Sequence, residues 1–172
     1  MCGIAGIVAP GAKGYAGALE RMTARLAHRG PDGSGTHFFE GCGLGHRRLS
    51  IVDHGTGHQP MLSAGGRKAI TFNGEIYGYR EIRDALEGYP FRTSSDTEVI
   101  LALHQRYGCD FIERLPGMFA FALWDEEKQE LLCARDRFGE KPFYYAVGEK
   151  GEFVFASEIK AILASGLVKP VL

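Results

Sequence analysis

Four strand-like segments follow one another in the last third of the chain with no helix between them, and this grouping restricts the fold more than any other feature. The segments are residues 117–124, 130–135, 143–147 and 152–156. Residues 125–129 and 148–151 have the composition of hairpin turns. Strands joined by such short turns pair in the antiparallel direction. The pattern therefore indicates strands grouped with strands and few βαβ units.

The first two thirds of the chain add further strands and a small number of helices. Strand-like runs lie at residues 1–8, 38–39, 44–52 and 69–72, and the dipeptide Asn73-Gly74 predicts a turn after the last of these. Helical patterns lie at residues 19–26, 79–86, 95–107 and 157–163, and the third opens with the capping-box sequence Ser95-Asp96-Thr97-Glu98. We predict an α+β fold in which two mostly antiparallel sheets stack and helices lie outside them.

Composition excludes several classes of function. The 172 residues favour one domain. The 20 Lys and Arg against 21 Asp and Glu give no electrostatic basis for binding nucleic acid or a membrane surface. No apolar run approaches the roughly 18 residues of a membrane span, and the amino terminus lacks the basic region of a signal peptide. These features favour a cytoplasmic protein.

The cysteines and histidines do not have the spacing of metal ligands. The four cysteines Cys2, Cys42, Cys109 and Cys133 contain no Cys-x-x-Cys pair. The histidines His46, His54 and His58 lie near one another, but no ligand spacing recurs, so a role in a loop is favoured. We predict no metal site and free thiols in a reducing compartment.

The cysteine at position 2 has a distinctive chemical setting. Removal of Met1 would expose Cys2 as the amino-terminal residue, with an α-amino group of pKa about 7.7–8.0 beside a thiol of pKa about 8.5. That amine can act as the general base for its own thiol, so one residue supplies both nucleophile and base. Taken alone, a Met-Cys start more often marks a small buried cysteine without chemistry.

Seven motifs in fixed order change that interpretation. They are Cys2-Gly3-Ile4-Ala5-Gly6-Ile7, His28-Arg29-Gly30-Pro31-Asp32, Arg48-Leu49-Ser50-Ile51-Val52-Asp53, Gly57-His58-Gln59-Pro60-Met61, Phe72-Asn73-Gly74-Glu75-Ile76-Tyr77, Ser95-Asp96-Thr97-Glu98 and Arg135-Asp136-Arg137-Phe138-Gly139-Glu140-Lys141-Pro142. Over nearly its whole length the chain resembles the class II glutamine amidotransferases, which are N-terminal-nucleophile hydrolases. The resemblance is to the N-terminal domain of glutamine-hydrolysing asparagine synthetases. It implies a four-layer αββα sandwich.

The resemblance also implies a role for the residues that react. Cys2 would attack the side-chain amide of glutamine and form a thioester. The side chain of Asn73 and the backbone N–H of Gly74 would stabilise the oxyanion. Taken without its neighbours, Asn73-Gly74 is more typical of a plain hairpin turn.

The remaining site residues would hold the parts of glutamine that do not react. Arg48 would bind the carboxylate, for which a planar guanidinium is suited. Asp96 would pair with the ammonium group, although a carboxylate at a helix start is also favourable for the helix itself. The backbone of Leu49, Ser50, Ile51 and Val52 and the residue Glu75 complete the implied pocket. A lone arginine such as Arg48 is more commonly a solvated strand residue.

In the family, the released ammonia passes to a C-terminal ATP-pyrophosphatase domain that adenylates aspartate. This sequence has no Ser-Gly-Gly-x-Asp-Ser loop for pyrophosphate. Residues 1–172 are therefore expected to be the glutaminase domain alone, as a fragment of a longer synthetase rather than a separate subunit. No cofactor is expected in this domain, since ATP and Mg belong to the synthetase domain. Its expected partners are glutamine and that domain, with a homodimer left open.

Three alternatives stay open. An amidotransferase for amino sugars or purines is disfavoured because those families usually have His where this chain has Phe72. A relative that modifies a cell-surface polysaccharide precursor agrees with Gly78, where the family usually has Asn. A non-catalytic homologue kept for binding or dimerisation is disfavoured because Cys2, Arg48, Asn73 and Asp96 are all present.

Overall fold

Two antiparallel sheets lie face to face in the computed structural model, which describes residues 1–50 and 55–170. The first sheet has the strand order β2-β3-β1-β9-β8 and the second β4-β5-β6-β7. The strands are β1 Gly3–Val8, β2 Gly33–Phe38, β3 Cys42–Arg48, β4 Met61–Leu62, β5 Lys68–Ile76, β6 Gly117–Asp125, β7 Glu130–Arg135, β8 Tyr144–Val147 and β9 Phe153–Ala156. Every pairing between these strands is antiparallel.

Helices cover the outer faces of both sheets. They are α1 Ala16–Ala24, α2 Tyr79–Asp84, α3 Asp96–Tyr107 and α4 Ile159–Ala164, with short 3₁₀ turns at Ala12–Tyr15 and Asp110–Arg114. Helices α1 and α4 pack on the first sheet, while α3, with α2 beside it, packs on the second. The predicted four-layer αββα sandwich is confirmed. None of the helices within the described ranges has the length and apolar character needed to cross a bilayer.

Three apolar clusters correspond to the three interfaces between these layers. Leu19 and Met22 of α1 pack against Ala5 and Ile7 of β1 on one side. Ile100 and Leu101 of α3 pack on the far side of the second sheet. Between the sheets lies a third cluster of Cys42, Leu44, Ala69, Ala122, Trp124 and Phe155. Side chains along a strand point alternately to the two faces of its sheet. One face of each sheet therefore packs against the other sheet, and the opposite face packs against helices.

The prediction of a turn at Asn73-Gly74 is wrong, because β5 continues through both residues to Ile76. Asn73 lies opposite Ala120, and Gly74 lies opposite Phe119 of β6. A Cβ at position 74 would lie 2.3 Å from the carbonyl oxygen of Met118 and 2.8 Å from the Cα of Phe119. The glycine therefore allows β6 to approach closely rather than turning the chain.

Other boundaries differ from the sequence predictions in smaller ways. The last four predicted strands are confirmed, whereas β2 starts at Gly33 rather than at residue 38. Strand β3 ends at Arg48, so the prediction of a strand over 44–52 is too long at residues 49–50, and residues 51–52 lie outside the described ranges. Ser95 caps α3 as predicted, since the Thr97 amide donates to Ser95 Oγ at 3.2 Å, but the capping box is not complete because Glu98 accepts from the amides of Arg92 and Thr93 instead of that of Ser95.

Candidate active site

One cleft brings together four side chains that are spread over the first hundred residues of the sequence. Cys2, Arg48, Asn73 and Asp96 all line it. Cys2 and Arg48 belong to the first sheet, because Cys2 directly precedes β1 and Arg48 ends β3. Asn73 lies on β5 of the second sheet, and Asp96 is the first residue of α3. The cleft therefore opens where the two sheets meet.

The backbone and thiol of Cys2 are both held in place. Sγ accepts a hydrogen bond from the Leu49 amide at 3.4 Å and lies 3.6 Å from the Leu49 carbonyl oxygen. The carbonyl oxygen of Cys2 accepts a hydrogen bond from Arg29 Nε at 2.9 Å. Burial raises the pKa of the Cys2 thiol, and the Leu49 amide and nearby positive charges offset only part of this. A protonated thiol in this position needs a base before it can act as a nucleophile.

Asn73 and Gly74 present two hydrogen-bond donors to the cleft. Asn73 is 2% exposed, and its Nδ2 has no hydrogen-bond partner among the residues that the structure describes. Strand β4 covers β5 only at Ile70 and Ala69, so β5 has a free edge further along. The Phe72 amide on this edge donates to Gln59 Oε1 at 2.6 Å, and the Ile76 amide donates to Asp96 Oδ2 at 3.1 Å.

The Gly74 amide points to the same edge, because alternate residues of a strand donate in the same direction. It lies between two amides that are already satisfied by side chains. An unpaired amide donor on a strand edge, next to a buried amide NH₂ group, is the arrangement that binds a developing oxyanion. Asn73 and Gly74 both line the cleft that Cys2 also lines.

Asp96 is a buried carboxylate without a cationic partner in any contact of the described residues. It is 5% exposed, accepts the hydrogen bond from the Ile76 amide, and lies 3.4 Å from Ser95 Oγ. Burial raises the pKa of Asp96, the hydrogen bonds offset this in part, and the charge of Glu75 adds to the increase. A carboxylate held in this way would be stabilised by a ligand that carries a positive charge.

The other residues expected to contact a substrate have different outcomes. Arg48 is 8% exposed and lines the cleft together with Leu49 and Glu75. The amide of Ser50 donates to Asp32 Oδ2 at 2.8 Å, and Ser50 is not part of the cleft lining. The two remaining predicted residues, Ile51 and Val52, lie outside the described ranges.

Gln59 was not among the predicted site residues, although it lies in one of the seven motifs. Its side chain joins the two elements that carry the site, since Oε1 accepts from the Phe72 amide and Nε2 lies 3.4 Å from Thr97 Oγ1. It thereby ties β5 to the start of α3. The only sequence signal for this role is its position inside the motif Gly57-His58-Gln59-Pro60-Met61.

Lys141 is a second unpredicted member of the cleft lining. It is 8% exposed, and its Nζ lies 3.7 Å from Met1 Sδ. The loop that carries it is built around Asp136, whose carboxylate accepts hydrogen bonds from the amides of Phe119, Phe138, Glu140 and Lys141 at 2.9–3.2 Å. Burial alone would raise the pKa of Asp136, but these amides outweigh it and hold the pKa below its usual value.

No histidine of the described ranges lines the cleft. His46 is in strand β3 rather than in a loop, which corrects the sequence interpretation, and its side chain is fully buried between the sheets. Burial, with a contribution from Arg48, lowers the pKa of His46 to about 3, so the ring is neutral. His54 lies outside the described ranges. Within those ranges, no group of three His, Cys, Asp or Glu side chains is arranged to hold a metal ion.

Comparison with known proteins gives one consistent result. The family described as "Glutamine amidotransferase domain" matches residues 1–172. Asparagine synthetase [glutamine-hydrolyzing] 3 of Arabidopsis thaliana is 42% identical over 164 residues, which is 94% of this chain and 28% of the relative. Asparagine synthetase [glutamine-hydrolyzing] 2 of Bacillus subtilis is 40% identical over 168 residues, or 95% of this chain and 22% of the relative.

A solved structure agrees with these relatives. The glutamine phosphoribosylpyrophosphate amidotransferase from B. subtilis, complexed with ADP and GMP, superposes with a TM-score of 0.73 at 25% identity. The superposition covers 96% of this chain and 44% of that one. The chain spans about a quarter of the length of the curated relatives it matches.

Two aspartates near the cleft should respond in opposite ways to the same substitution. Because the pKa of Asp96 is raised, its ionised form costs stability at neutral pH, and Asp96→Asn should increase the melting temperature at pH 7. The increase should shrink as the pH falls through the raised pKa, where the wild-type carboxyl becomes neutral as well. Because the pKa of Asp136 is lowered, its stabilising effect is present above the unfolded-state pKa, and Asp136→Asn should decrease the melting temperature at pH 7.

Thermal unfolding at pH 7 and at successively lower pH, followed by circular dichroism, measures both effects. Asparagine has nearly the same shape as aspartate, so each variant changes charge and hydrogen-bond acceptance but not packing. A lower melting temperature for both variants at pH 7 would contradict the assignment of Asp96 as an uncompensated carboxylate.

Proposed function

Since the chain belongs to the glutamine amidotransferase domain family, we propose that it hydrolyses glutamine to glutamate and ammonia with Cys2 as the nucleophile. The observation that carries this proposal is that Cys2, Asn73 and Gly74 line one cleft, where Asn73 Nδ2 is buried without a partner among the described residues and Gly74 lies on the part of the β5 edge that β4 does not cover. A thiol, an oxyanion site and a buried carboxylate together fit an amide substrate that also carries an amino group.

The base in this proposal is the α-amino group of Cys2, which is free only after Met1 has been removed. The amine takes the thiol proton as sulfur bonds to the amide carbon of glutamine. The tetrahedral intermediate collapses, the C–N bond breaks, and the amine returns the proton to the departing ammonia. Water then attacks the thioester, and the same amine takes a proton from it. The amine returns that proton to sulfur as the C–S bond breaks, which releases glutamate and restores the thiol. The raised thiol pKa supports the need for a base in direct reach.

Both tetrahedral intermediates place a negative charge on the former amide oxygen. Asn73 Nδ2 and the Gly74 amide would donate to that oxygen. Asn73 Nδ2 has no hydrogen bond to a described residue that it would have to break, and the Gly74 amide lies on the part of the β5 edge that β4 does not cover. Preorganised donors of this kind stabilise the transition state without reorganising, which is why they contribute strongly to kcat.

The charged end of free glutamine fits the rest of the cleft. We assign its ammonium group to Asp96, whose buried carboxylate gains a counter-charge on binding. We assign its carboxylate to Arg48. Arg48 ends β3 of the first sheet, whereas Asp96 begins α3 beside the second sheet, and both residues line the cleft. A peptide glutamine lacks both charges, so this arrangement favours the free amino acid.

For the acceptor of the ammonia we propose aspartate, converted to asparagine by an ATP-dependent synthetase domain. The support is that the curated relatives are named glutamine-hydrolysing asparagine synthetases and extend well beyond this domain. Gly78 does not weaken this proposal. It has φ 63° at the start of α2, a left-handed conformation that asparagine adopts more readily than most residues and that glycine adopts without cost. We further propose a cytoplasmic location, which the four free cysteines support.

The state of the amino terminus tests the mechanism most directly. A chain that retains Met1 has a peptide nitrogen on Cys2 with no basicity, and Met1 also lines the cleft. Its kcat/KM for glutamine should be roughly 10²–10⁴-fold lower than that of the chain starting at Cys2, because general base catalysis contributes about that much. A cleavable amino-terminal tag gives the matched pair, with intact-mass spectrometry and ammonia release as the measurements. Equal turnover before and after cleavage would show that another group is the base.

Two substitutions should separate the oxyanion donor from the substrate clamp. Asn73→Ala removes a donor that acts on the transition state and should lower kcat by about 10²–10³-fold with a small change in KM. Asp96→Asn removes a contact made equally in the ground state and should raise KM, by roughly 10- to 100-fold if the pair contributes about 1.5–3 kcal/mol. Steady-state kinetics with glutamine measures both. If the two variants changed the same parameter, the assignment of roles would be wrong.

The acceptor can be identified from the products. The isolated chain, given glutamine, aspartate, ATP and Mg²⁺, should release ammonia and form no asparagine. The tagged protein purified at its native length from its host should form asparagine in an ATP-dependent reaction, which amino-acid analysis detects. An amidated sugar acid as the product, with aspartate left unchanged, would instead favour the polysaccharide alternative.

A further inference from the structure

The orientation of Cys2 depends on contacts from outside the sheet. Cys2 precedes β1, whose pairing with β3 starts at Gly3 and whose pairing with β9 starts only at Ala5. The thiol is fixed by Leu49, and the carbonyl oxygen is fixed by Arg29 Nε at 2.9 Å. With these two groups held, the remaining substituent of Cys2, its nitrogen, can take only one direction. The Arg29 contact is therefore one of the two that set the direction of this nitrogen.

Arg29 is in turn held by Glu158. Its Nη1 donates to Glu158 Oε1 at 3.1 Å, and its side chain is only 10% exposed. A guanidinium buried to this extent needs a counter-charge to stay in place. The contact spans 129 residues of sequence and joins the loop after α1 to the start of α4. Gly30 fixes that loop from the other side, because a Cβ there would lie 2.4 Å from the backbone carbon of Arg47.

Glu158 is placed by the same strand end that anchors β1. Ser157, its neighbour, accepts a hydrogen bond from the Ile4 amide at 3.0 Å through Oγ, and the Ser157 amide donates to the Ile4 carbonyl at 2.9 Å. These two hydrogen bonds tie the residue before Glu158 to the start of β1 as one structural unit. A chain of direct contacts runs from this unit through Glu158 and Arg29 to the carbonyl of Cys2.

Glu158 keeps its charge under all conditions in which the enzyme would operate. Its Oε1 also meets His28 Nε2 at 2.8 Å, and its Oε2 meets Lys160 Nζ at 3.0 Å. Burial opposes ionisation, but hydrogen bonds from the three basic neighbours outweigh it and lower the pKa of Glu158 to about 2. Lys160 contacts the oxygen that Arg29 does not use, which makes it a natural control.

We propose that Glu158 is a positioning residue that aims the amino-terminal nucleophile, acting through Arg29 on the carbonyl oxygen of Cys2. It contacts no reacting atom. Its carboxylate fixes the guanidinium, and the guanidinium fixes the direction of the Cys2 nitrogen and sulfur. This inference rests on the proposed function of Cys2, and it adds a residue at the start of α4 that was not among the predicted site residues.

The test is a set of variants of the chain starting at Cys2. Glu158→Ala should lower kcat by about 10²-fold, since a misplacement of about 1 Å can cost that much. KM should stay within about twofold, because Arg48 and Asp96 are untouched. Glu158→Gln retains an acceptor oxygen for Arg29 and should recover part of the rate. Lys160→Gln, the matched control, should leave kcat and KM close to the wild-type values.

A double-mutant cycle decides whether Glu158 acts through Arg29. Arg29→Met should lower kcat at least as much as Glu158→Ala, and the double variant should be no slower than Arg29→Met alone. Melting temperatures of all variants show whether they are folded. Wild-type kcat in a folded Glu158→Ala variant, a rise in KM in place of the fall in kcat, or additive losses in the cycle would each overturn the inference. An inactive wild-type chain would instead overturn the proposed function itself.

Discussion

The free edge of β5 is the constraint on which the site depends. Because β4 covers only the first part of this strand, the amides of Phe72, Gly74 and Ile76 all point away from β6 without a strand partner. A buried amide donor that stays unpaired costs about 1–3 kcal/mol, so such an edge has to be satisfied by other groups. Gln59 and Asp96 satisfy the first and the third amide. The site is organised around the second amide, that of Gly74.

The same constraint explains the choice of residue at positions 73 and 74. Gly74 is required because β6 lies too close for a side chain. Asn73, one residue earlier, brings a second donor whose Nδ2 is buried and unpaired among the described residues. A buried donor without a partner lowers the stability of the fold, and an oxyanion would recover that energy. The local cost in stability and the proposed chemistry therefore involve the same group.

Sequence reasoning found the parts of the molecule that are encoded locally. The cap at Ser95, the last four strands and the stacked sheets follow from short patterns of residues, and the seven motifs point to Cys2, Arg48, Asn73 and Asp96. It failed where a distant contact overrides a local signal. Asn73-Gly74 has turn chemistry, yet pairing with β6 holds it in a strand. The two-residue β4 is too short to leave a pattern.

Contacts between distant residues outside the implied pocket could not be predicted. Arg29 and Glu158 are ordinary charged residues at 129 positions' separation, and only the folded chain shows that one is the counter-charge of the other. Gln59 is similar, because its role depends on an amide of β5 and a hydroxyl of α3 that no spacing in the sequence connects. Neither the type nor the spacing of such residues marks them in the sequence. Their importance comes from the groups that they hold in place.

The nucleophile and the oxyanion donors lie on different sheets, so their separation is set by how the sheets are joined. Most of the interface between the sheets is apolar. Apolar packing sets the distance between the two sheets more strongly than it sets how they are shifted relative to each other. One polar contact adds direction: His46 of the first sheet meets Thr71 of the second, with Nδ1 3.0 Å from Oγ1, and Thr71 Oγ1 lies 3.1 Å from the Gly45 carbonyl. Because Thr71 has a single hydroxyl proton and gives it to that carbonyl, the hydrogen bond from His46 requires a proton on Nδ1. The lowered pKa keeps the ring neutral, so its protonation state does not change near neutral pH. The fully buried, neutral histidine thereby holds β3 in register with β5. Strand β3 ends at Arg48, and β5 contains Asn73.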